Sequence, residues 1–233
     1  MSMATSATLT TLLLKEAGLR NTAVRGVAPL DAQRARFTGP AFTVRYLPLR
    51  EDLLPAQSLS NPGAAMHLLL DRIRPGDVLV MDGRGHDDNG LIGDIIAARL
   101  HAIGVAGVVM DGRVRDGAEI SGLGLAVQCR GVSPPPSFVN LMIADVQLPI
   151  ACGGVTVHPG DQVVADSDGV AVVPAHLWAR LGPQAVEQDR VERYIRLRVA
   201  AGEKLAGLYP PNAASTEAYH AWVARGEPPD LLT

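Results

Sequence analysis

Residues 90–100 read GLIGDIIAARL, and residues 106–112 read AGVVMDG. Ahead of both stands PGDVLVMDG, residues 75–83, a Pro-Gly turn followed by an apolar run. The middle stretch carries Ile92, Ile95, Ile96 and Leu100 at a spacing that covers one face of a helix, and it stops at Gly104. The two outer runs are short, apolar and bounded by glycine, which predicts strands at about 77–82 and 106–112. Strand, helix and strand in this order predict a right-handed βαβ unit with parallel strands.

Working toward the N-terminus, GPAFTVRYLPL (residues 39–49) alternates Phe42, Val44 and Tyr46 with smaller or polar residues, as a half-buried strand does. A helix is expected near 62–73, the segment REDLLPAQSLSNPG before it reads as a loop, and ATLTTLLLKEAG predicts a first helix near 6–17 closed by Gly18. Toward the C-terminus, GLAVQCRGV, VQLPIACGGVTV, DQVVADSDG and VAVVP are short β-like runs separated by Gly, Pro and Asp turns. They predict a mostly antiparallel half packed on the βαβ half. The acid-rich GDQVVADSDGVAVVP lacks the ligand spacing and final Glu of a calcium loop, so it reads as a tight hairpin. A charged amphipathic helix follows at about 177–201, then a Pro-rich tail with Tyr209, Tyr219 and Trp222. The fold class is therefore α/β with mixed strands. One domain is expected over 1–205, with a tail at 206–233 whose aromatics suit a neighbouring subunit.

Composition narrows the function. A chain of 233 residues with 47% hydrophobic residues buries an ordinary core. Its 21 basic residues are outnumbered by 24 acids, which leaves no footprint for nucleic acid. No apolar run is long enough to cross a bilayer and no basic leader precedes the first helix, so a cytoplasmic protein with no membrane partner is expected. Cys129 and Cys152 lack the paired spacing of a zinc site and are expected as reduced thiols. His67, His101, His158, His176 and His220 show no ligand-like spacing, and the cluster His86, Asp87, Asp88 on a Gly-flanked loop reads as a solvated turn.

In an open α/β sheet the ligand crevice lies beyond the carboxyl ends of parallel strands. The loops after strands 77–82 and 106–112 emerge there together. A helix starting near Gly93 leaves the amides of Gly93, Asp94, Ile95 and Ile96 without intrahelical partners, at the positive end of the helix dipole. Such amides form an anion cradle, and glycine at 93 admits close approach. Arg115, after the neighbouring strand, can grip a carboxylate or a developing oxyanion in the same crevice. Asp116, with Asp94 or Glu119, suits a hard divalent ion such as Mg²⁺ or Mn²⁺. Each piece has an ordinary alternative: Asp94 as a helix-start acid, and Arg115-Asp116 as a surface pair.

Taken together, GLIGDIIAARL, GVVMDG, VRDGAEI and GDQVVADSDGVAVVP resemble the RraA-like family, which includes the class II aldolases of 4-hydroxy-4-methyl-2-oxoglutarate. The resemblance spans roughly residues 20–205, and its most specific element is Gly93-Asp94 followed by Arg115, Asp116 and Glu119. It implies an α/β/β/α sandwich with mixed sheets, related to swivelling phosphohistidine domains, assembled as homotrimers or hexamers with sites at subunit boundaries. It also implies Mg²⁺ or Mn²⁺ on Asp116, pyruvate on Arg115 with its carboxylate on the amides of 93–96, and an acid from a neighbouring chain, for which Glu203 is a candidate. The implied activity is cleavage of a 4-hydroxy-2-oxo acid, with oxaloacetate decarboxylation as a companion reaction; Asp94 or another acid is expected to orient the water that moves the proton. The alternative is a non-catalytic regulator of ribonuclease activity that works by protein contact. A methyltransferase label found among relatives has no glycine-rich nucleotide loop here to support it.

Overall fold

The computed structural model describes residues 3–85 and 88–228, and every side chain among them except that of Leu54. In chain order the elements are α1 (Ser6–Ala17), β1 (Ala23–Val24), β2 (Ala28–Pro29), β3 (Phe37–Pro48), α2 (Leu54–Gln57), α3 (Ala65–Arg72), β4 (Val78–Asp82), α4 (Asp94–Ile103) and β5 (Gly107–Met110). Then come α5 (Gly117–Leu123), β6 (Val127–Cys129), β7 (Leu141–Val146), β8 (Ile150–Cys152), β9 (Val155–Val157), β10 (Gln162–Asp166), β11 (Gly169–Val173), α6 (Ala175–Ala200) and α7 (Ala213–Ala224).

The twelve-residue strand β3 belongs to two sheets. Phe37–Pro40 pair antiparallel with β10, while Ala41–Arg45 pair parallel with β4. The strands connect in the order β1-β11-β10-β3-β4-β5-β6-β2, with β7 antiparallel on the later part of β3, and β8–β9 forming a separate hairpin. The parallel pair β4–β5, joined through α4, is the βαβ unit read from the sequence.

Because successive strand side chains point to opposite faces, each buried strand serves two cores. Val78 and Val80 of β4 pack with Val109 of β5, Val163 of β10, Val170 and Val172 of β11 and Ile150 of β8 in a layer between the sheets. The alternate residues Leu79, Met81, Val108 and Met110 pack against Leu69 of α3, Leu100 of α4 and Ile120 of α5. On the far side, Val164, Ala171 and Val173 meet Leu9 and Leu13 of α1 and Leu181 of α6. The result is the expected α/β/β/α sandwich. Burying each such side chain contributes about 1.5–3 kcal/mol, so the three layers together hold the two sheets in register.

Two acids pin the outer helix layer. Asp166, at the β10–β11 turn, accepts hydrogen bonds from the Ser6 amide and Ser6 Oγ, each at 2.7 Å, and from the Asp168 amide at 3.0 Å. Asp189 of α6 accepts from the Thr5 amide at 2.7 Å and from Thr8 Oγ1 at 2.5 Å. The acid-rich segment is thus a hairpin whose carboxylate anchors α1.

Three local readings are corrected. Ile95 is 78% exposed, because the helix begins only at Asp94 and its buried stripe runs through Ile96, Ala97 and Leu100; Ile92, which belongs to the preceding extended segment, is buried separately. The Pro-rich tail carries a helix: Asn212 caps α7 by accepting from the Ser215 amide at 2.9 Å. Tyr219 and Trp222 are buried against Tyr194 and Ile195 of the same chain's α6, whereas Tyr209 is exposed. Finally, α5 and β7 were not anticipated. Both cysteines are free and buried.

Candidate active site

Beyond the ends of β4 and β5 the chain continues as three extended segments held side by side. Leu91 donates its amide to the Arg113 carbonyl at 2.7 Å, and Arg115 donates to the Ile92 carbonyl at 2.9 Å. Gly90 donates to the Pro135 carbonyl at 2.9 Å, and Ser133 to the Val114 carbonyl at 2.9 Å. These bonds fix the start of α4 against Arg115. Glycine at 90 is required for that approach: a Cβ there would stand 2.2 Å from Arg115 Cγ and 2.5 Å from its backbone nitrogen.

Gly93 is the N-cap of α4, extended at φ −113°, and no side chain caps the helix. Of the four amides in the expected cradle, that of Ile95 is taken by the Asp94 carboxylate at 2.8 Å. Those of Gly93, Asp94 and Ile96 have no partner among the described residues. A Cβ added at Gly93 would lie 2.8 Å from Asp116 Oδ2 and 3.8 Å from Arg115 Cβ, so both predicted side chains converge on the helix start. Asp116 adopts the left-handed region at φ 53°, a conformation that costs most residues roughly 1–2 kcal/mol but that Asp tolerates, and it opens α5 directly behind Arg115.

A cavity of about 150 Å³ lies at this junction, lined by Gly90–Gly93, Ile96 and Arg115 together with side chains of β3, β7 and the segments around Leu59 and Phe138. Arg115 Nε is buried and has no hydrogen-bond partner among the described residues, and the same holds for the hydroxyl of Tyr46, another lining residue. Burial pushes the Tyr46 phenol well above its usual range, so it stays a neutral hydroxyl. Tyr46 and the β7 wall escaped the sequence reading. The strand pattern marked Tyr46 only as an inward residue, and the proline run at 134–136 concealed the strand that follows it.

For a divalent ion, Asp116 is exposed and its carboxylate takes no hydrogen bond from described residues. Glu119 lies one turn further along α5 and is exposed as well. Among the described residues no group of three metal-ligating side chains is present. One free carboxylate facing solvent fits Mg²⁺ or Mn²⁺, which keep several waters, and does not fit a protein-built cage. His86 and Asp87 lie outside the described residues. Glu203, the candidate acid from a neighbouring chain, is paired with Arg198 of its own chain.

A larger cavity of about 620 Å³ shares Tyr46 and holds Arg25, Arg45, Arg84, Arg130, Asp82 and Asp111. Most of its charge is already engaged. Asp111 accepts the amides of Gly83 at 2.6 Å and Gly153 at 2.9 Å, and burial raises its pKa. Asp82 accepts from the Arg84 amide at 3.1 Å, Arg45 is paired with Asp145, and Arg25 binds Asn21 at 3.1 Å. The two aspartates therefore tie the ends of β4 and β5 to the β8–β9 hairpin. The smaller cavity, with its unpartnered donors, is the better candidate for chemistry.

A family model described as RraA-like, aldolase/RraA, matches residues 6–172, from α1 to β11. The chain belongs to the RraA-like family. Among solved structures, this RraA-like chain is similar to RraAS2 of Streptomyces coelicolor, titled an unusual member of the RNase ES inhibitor RraA family. That similarity is 34% identity and a TM-score of 0.73, covering 82% of this chain and 91% of the other. A protein of Halalkalibacterium halodurans designated a candidate 4-hydroxy-4-methyl-2-oxoglutarate aldolase is 33% identical over 148 residues, 64% of each chain. Protein DlpA of Legionella pneumophila is 27% identical over 179 residues, which are 77% of this chain but 28% of that one. The match thus spans less than two thirds of either curated relative. No described helix is long and apolar enough to cross a membrane.

Proposed function

We propose that the protein is a divalent-metal-dependent class II pyruvate aldolase that cleaves 4-hydroxy-2-oxo acids and decarboxylates oxaloacetate. The observation that carries this reading is the convergence of Arg115 and Asp116 on the unpartnered amides that open α4. A helix start with free amides receives a carboxylate, and Arg115 supplies a charge-assisted grip on the same small acid.

Asp116 would hold Mg²⁺ or Mn²⁺, and the ion when bound supplies Lewis acidity toward the 2-oxo group. The chain's own residues do the rest. The amides of Gly93, Asp94 and Ile96 orient the substrate carboxylate, and Arg115 faces the oxygen on which negative charge grows as the C3–C4 bond breaks. Asp94, with Oδ1 held by the Ile95 amide, keeps Oδ2 to orient a water that removes the C4 hydroxyl proton. The electron pair of the broken bond forms the pyruvate enolate, which takes a proton at C3. Oxaloacetate loses CO₂ to give the same enolate, so both reactions share one set of contacts.

The name of the H. halodurans relative supports the lyase reading, and that of the S. coelicolor relative belongs to a protein named for ribonuclease inhibition. The inward-facing unpartnered donors favour catalysis, since a contact surface for a protein has no need of them. The cytoplasmic setting and a trimeric or hexameric assembly are part of the same proposal. Pyruvate release from oxaloacetate by the purified protein, abolished by EDTA and restored by Mg²⁺, tests the reading; release at the uncatalysed rate under all conditions overturns it.

A further inference from the structure

Granted that reading, the cavity says something about which oxo acid it takes. Arg115 is the only charged side chain among the described residues lining it. The other walls are apolar: Leu59, Met66, Ile96, Phe138, Leu141 and Ile143. Its remaining polar side chains, Gln57, Ser137 and Tyr46, are uncharged. Leu59 and Phe138 stand at 55% and 57% exposure, large apolar side chains facing solvent beside the cavity.

We infer that the enzyme selects 4-hydroxy-2-oxo acids whose C4 substituent is a short uncharged alkyl group, and discriminates against those ending in a second carboxylate. A 4-hydroxy-2-oxo acid carries one carboxylate at C1, which the α4 amides and Arg115 accept. A 4-hydroxy-2-oxo dicarboxylate brings a second one beyond C4, which would be set against leucine, methionine and phenylalanine with no cation among the described lining residues to meet it, whereas the second carboxylate of oxaloacetate is C4 itself, the group lost as CO₂. Removing a carboxylate from water without a partner is strongly unfavourable, whereas each methylene buried on the same wall contributes about fourfold in affinity. The reaction is the same in balance: the C4 hydroxyl proton leaves, the C3–C4 bond breaks, its electrons go to the enolate, and the products are pyruvate and an aliphatic aldehyde. No oxidant or reductant is consumed.

The test is a substrate series with the full chain and Mg²⁺: 4-hydroxy-2-oxopentanoate, -hexanoate and -heptanoate against 4-hydroxy-4-methyl-2-oxoglutarate, with turnovers counted from pyruvate, one per alkyl substrate and two per dicarboxylate, and oxaloacetate as a separate arm. The expected result is a kcat/KM at least about tenfold higher for the best alkyl substrate than for the dicarboxylate, rising about fourfold per added methylene along the series. Phe138→Arg, and independently Leu59→Arg, should shift the ratio of the two toward the dicarboxylate by at least about tenfold, with a thermal melt confirming folding. The ratio is the readout, so a general loss of rate does not mimic the effect. Pyruvate from oxaloacetate together with preference for the dicarboxylate overturns this inference and leaves the aldolase reading standing. An alkyl preference that neither arginine variant moves overturns the assignment of this wall. No pyruvate from any substrate, oxaloacetate included, overturns both.

Discussion

Asp116 Oδ2 lies where it would meet a Cβ on Gly93 at 2.8 Å, so the carboxylate that follows β5 rests on the first turn of the helix that follows β4. The only atom within 3 Å of that added carbon is the end of one side chain, and Gly93 itself has an ordinary extended φ of −113°. Gly93→Ala should therefore fold, with a melting temperature within a few degrees of the parent, but displace Asp116 and narrow the anion cradle. A fall of at least about tenfold in kcat/KM is expected. A variant with normal turnover would show that the contact between Gly93 and Asp116 does not matter to the chemistry.

Arg115→Ala removes the one cation among the described residues lining the cavity. Losing a donor aimed at developing charge costs on the order of 10²–10³ in rate, and Arg115→Lys should recover only part of it because a point charge lacks the fork. Steady-state kinetics on oxaloacetate check this.

Tyr46→Phe deletes a buried hydroxyl that has no partner. An unsatisfied buried group costs about 1–3 kcal/mol, so the variant should be as stable as the parent or more so in urea unfolding. A clear loss of stability would mean that the hydroxyl is hydrogen-bonded in solution.

Burial raises the thiol pKa of both Cys129 and Cys152. The thiolate is the reactive form, so at pH 8 both should react far more slowly with a disulfide reagent in the native protein than in urea. Raising the pH should speed the native reaction, since it increases the thiolate fraction. Rapid labelling of either thiol in the native state would contradict its burial.

Trp222 is 1% exposed; its indole donates to the Pro228 carbonyl at 2.9 Å and its ring lies 5.0 Å from the Arg193 guanidinium. These aromatics form a cluster separate from the three main layers. Trp222→Ala should release α7 locally, which accelerated hydrogen exchange over 205–224 would report, while the exchange of β4 and β5 stays unchanged.

Much of this architecture was legible from periodicity alone. The βαβ unit, α1 and the β10–β11 hairpin carry strong apolar patterns closed by glycines, and those patterns coincide with two-faced burial. That Arg115 and Asp116 lie beside the start of α4 was legible because helix-start amides and strand-end residues follow from topology. Ile95 was misplaced because spacing was counted from Ile92, before the helix begins. The burial of Tyr219 and Trp222 on α6 depends on contacts with Tyr194 and Ile195, which stand 24 to 28 positions earlier, and local pattern does not encode them. The apolar wall of the cavity is assembled from β3, β7 and two connecting segments, and no single stretch of sequence carries it.

Oxalate, a planar dianion shaped like the pyruvate enolate, tests most directly whether Gly93, Arg115 and Asp116 act as one acid-binding site. Titrated calorimetrically in the presence of Mn²⁺, it should bind the parent protein, bind at least about tenfold more weakly to Arg115→Ala and to Asp116→Asn, and lose affinity when the metal is removed. Binding that is indifferent to both substitutions and to metal would show that Gly93, Arg115 and Asp116 do not form one acid-binding site.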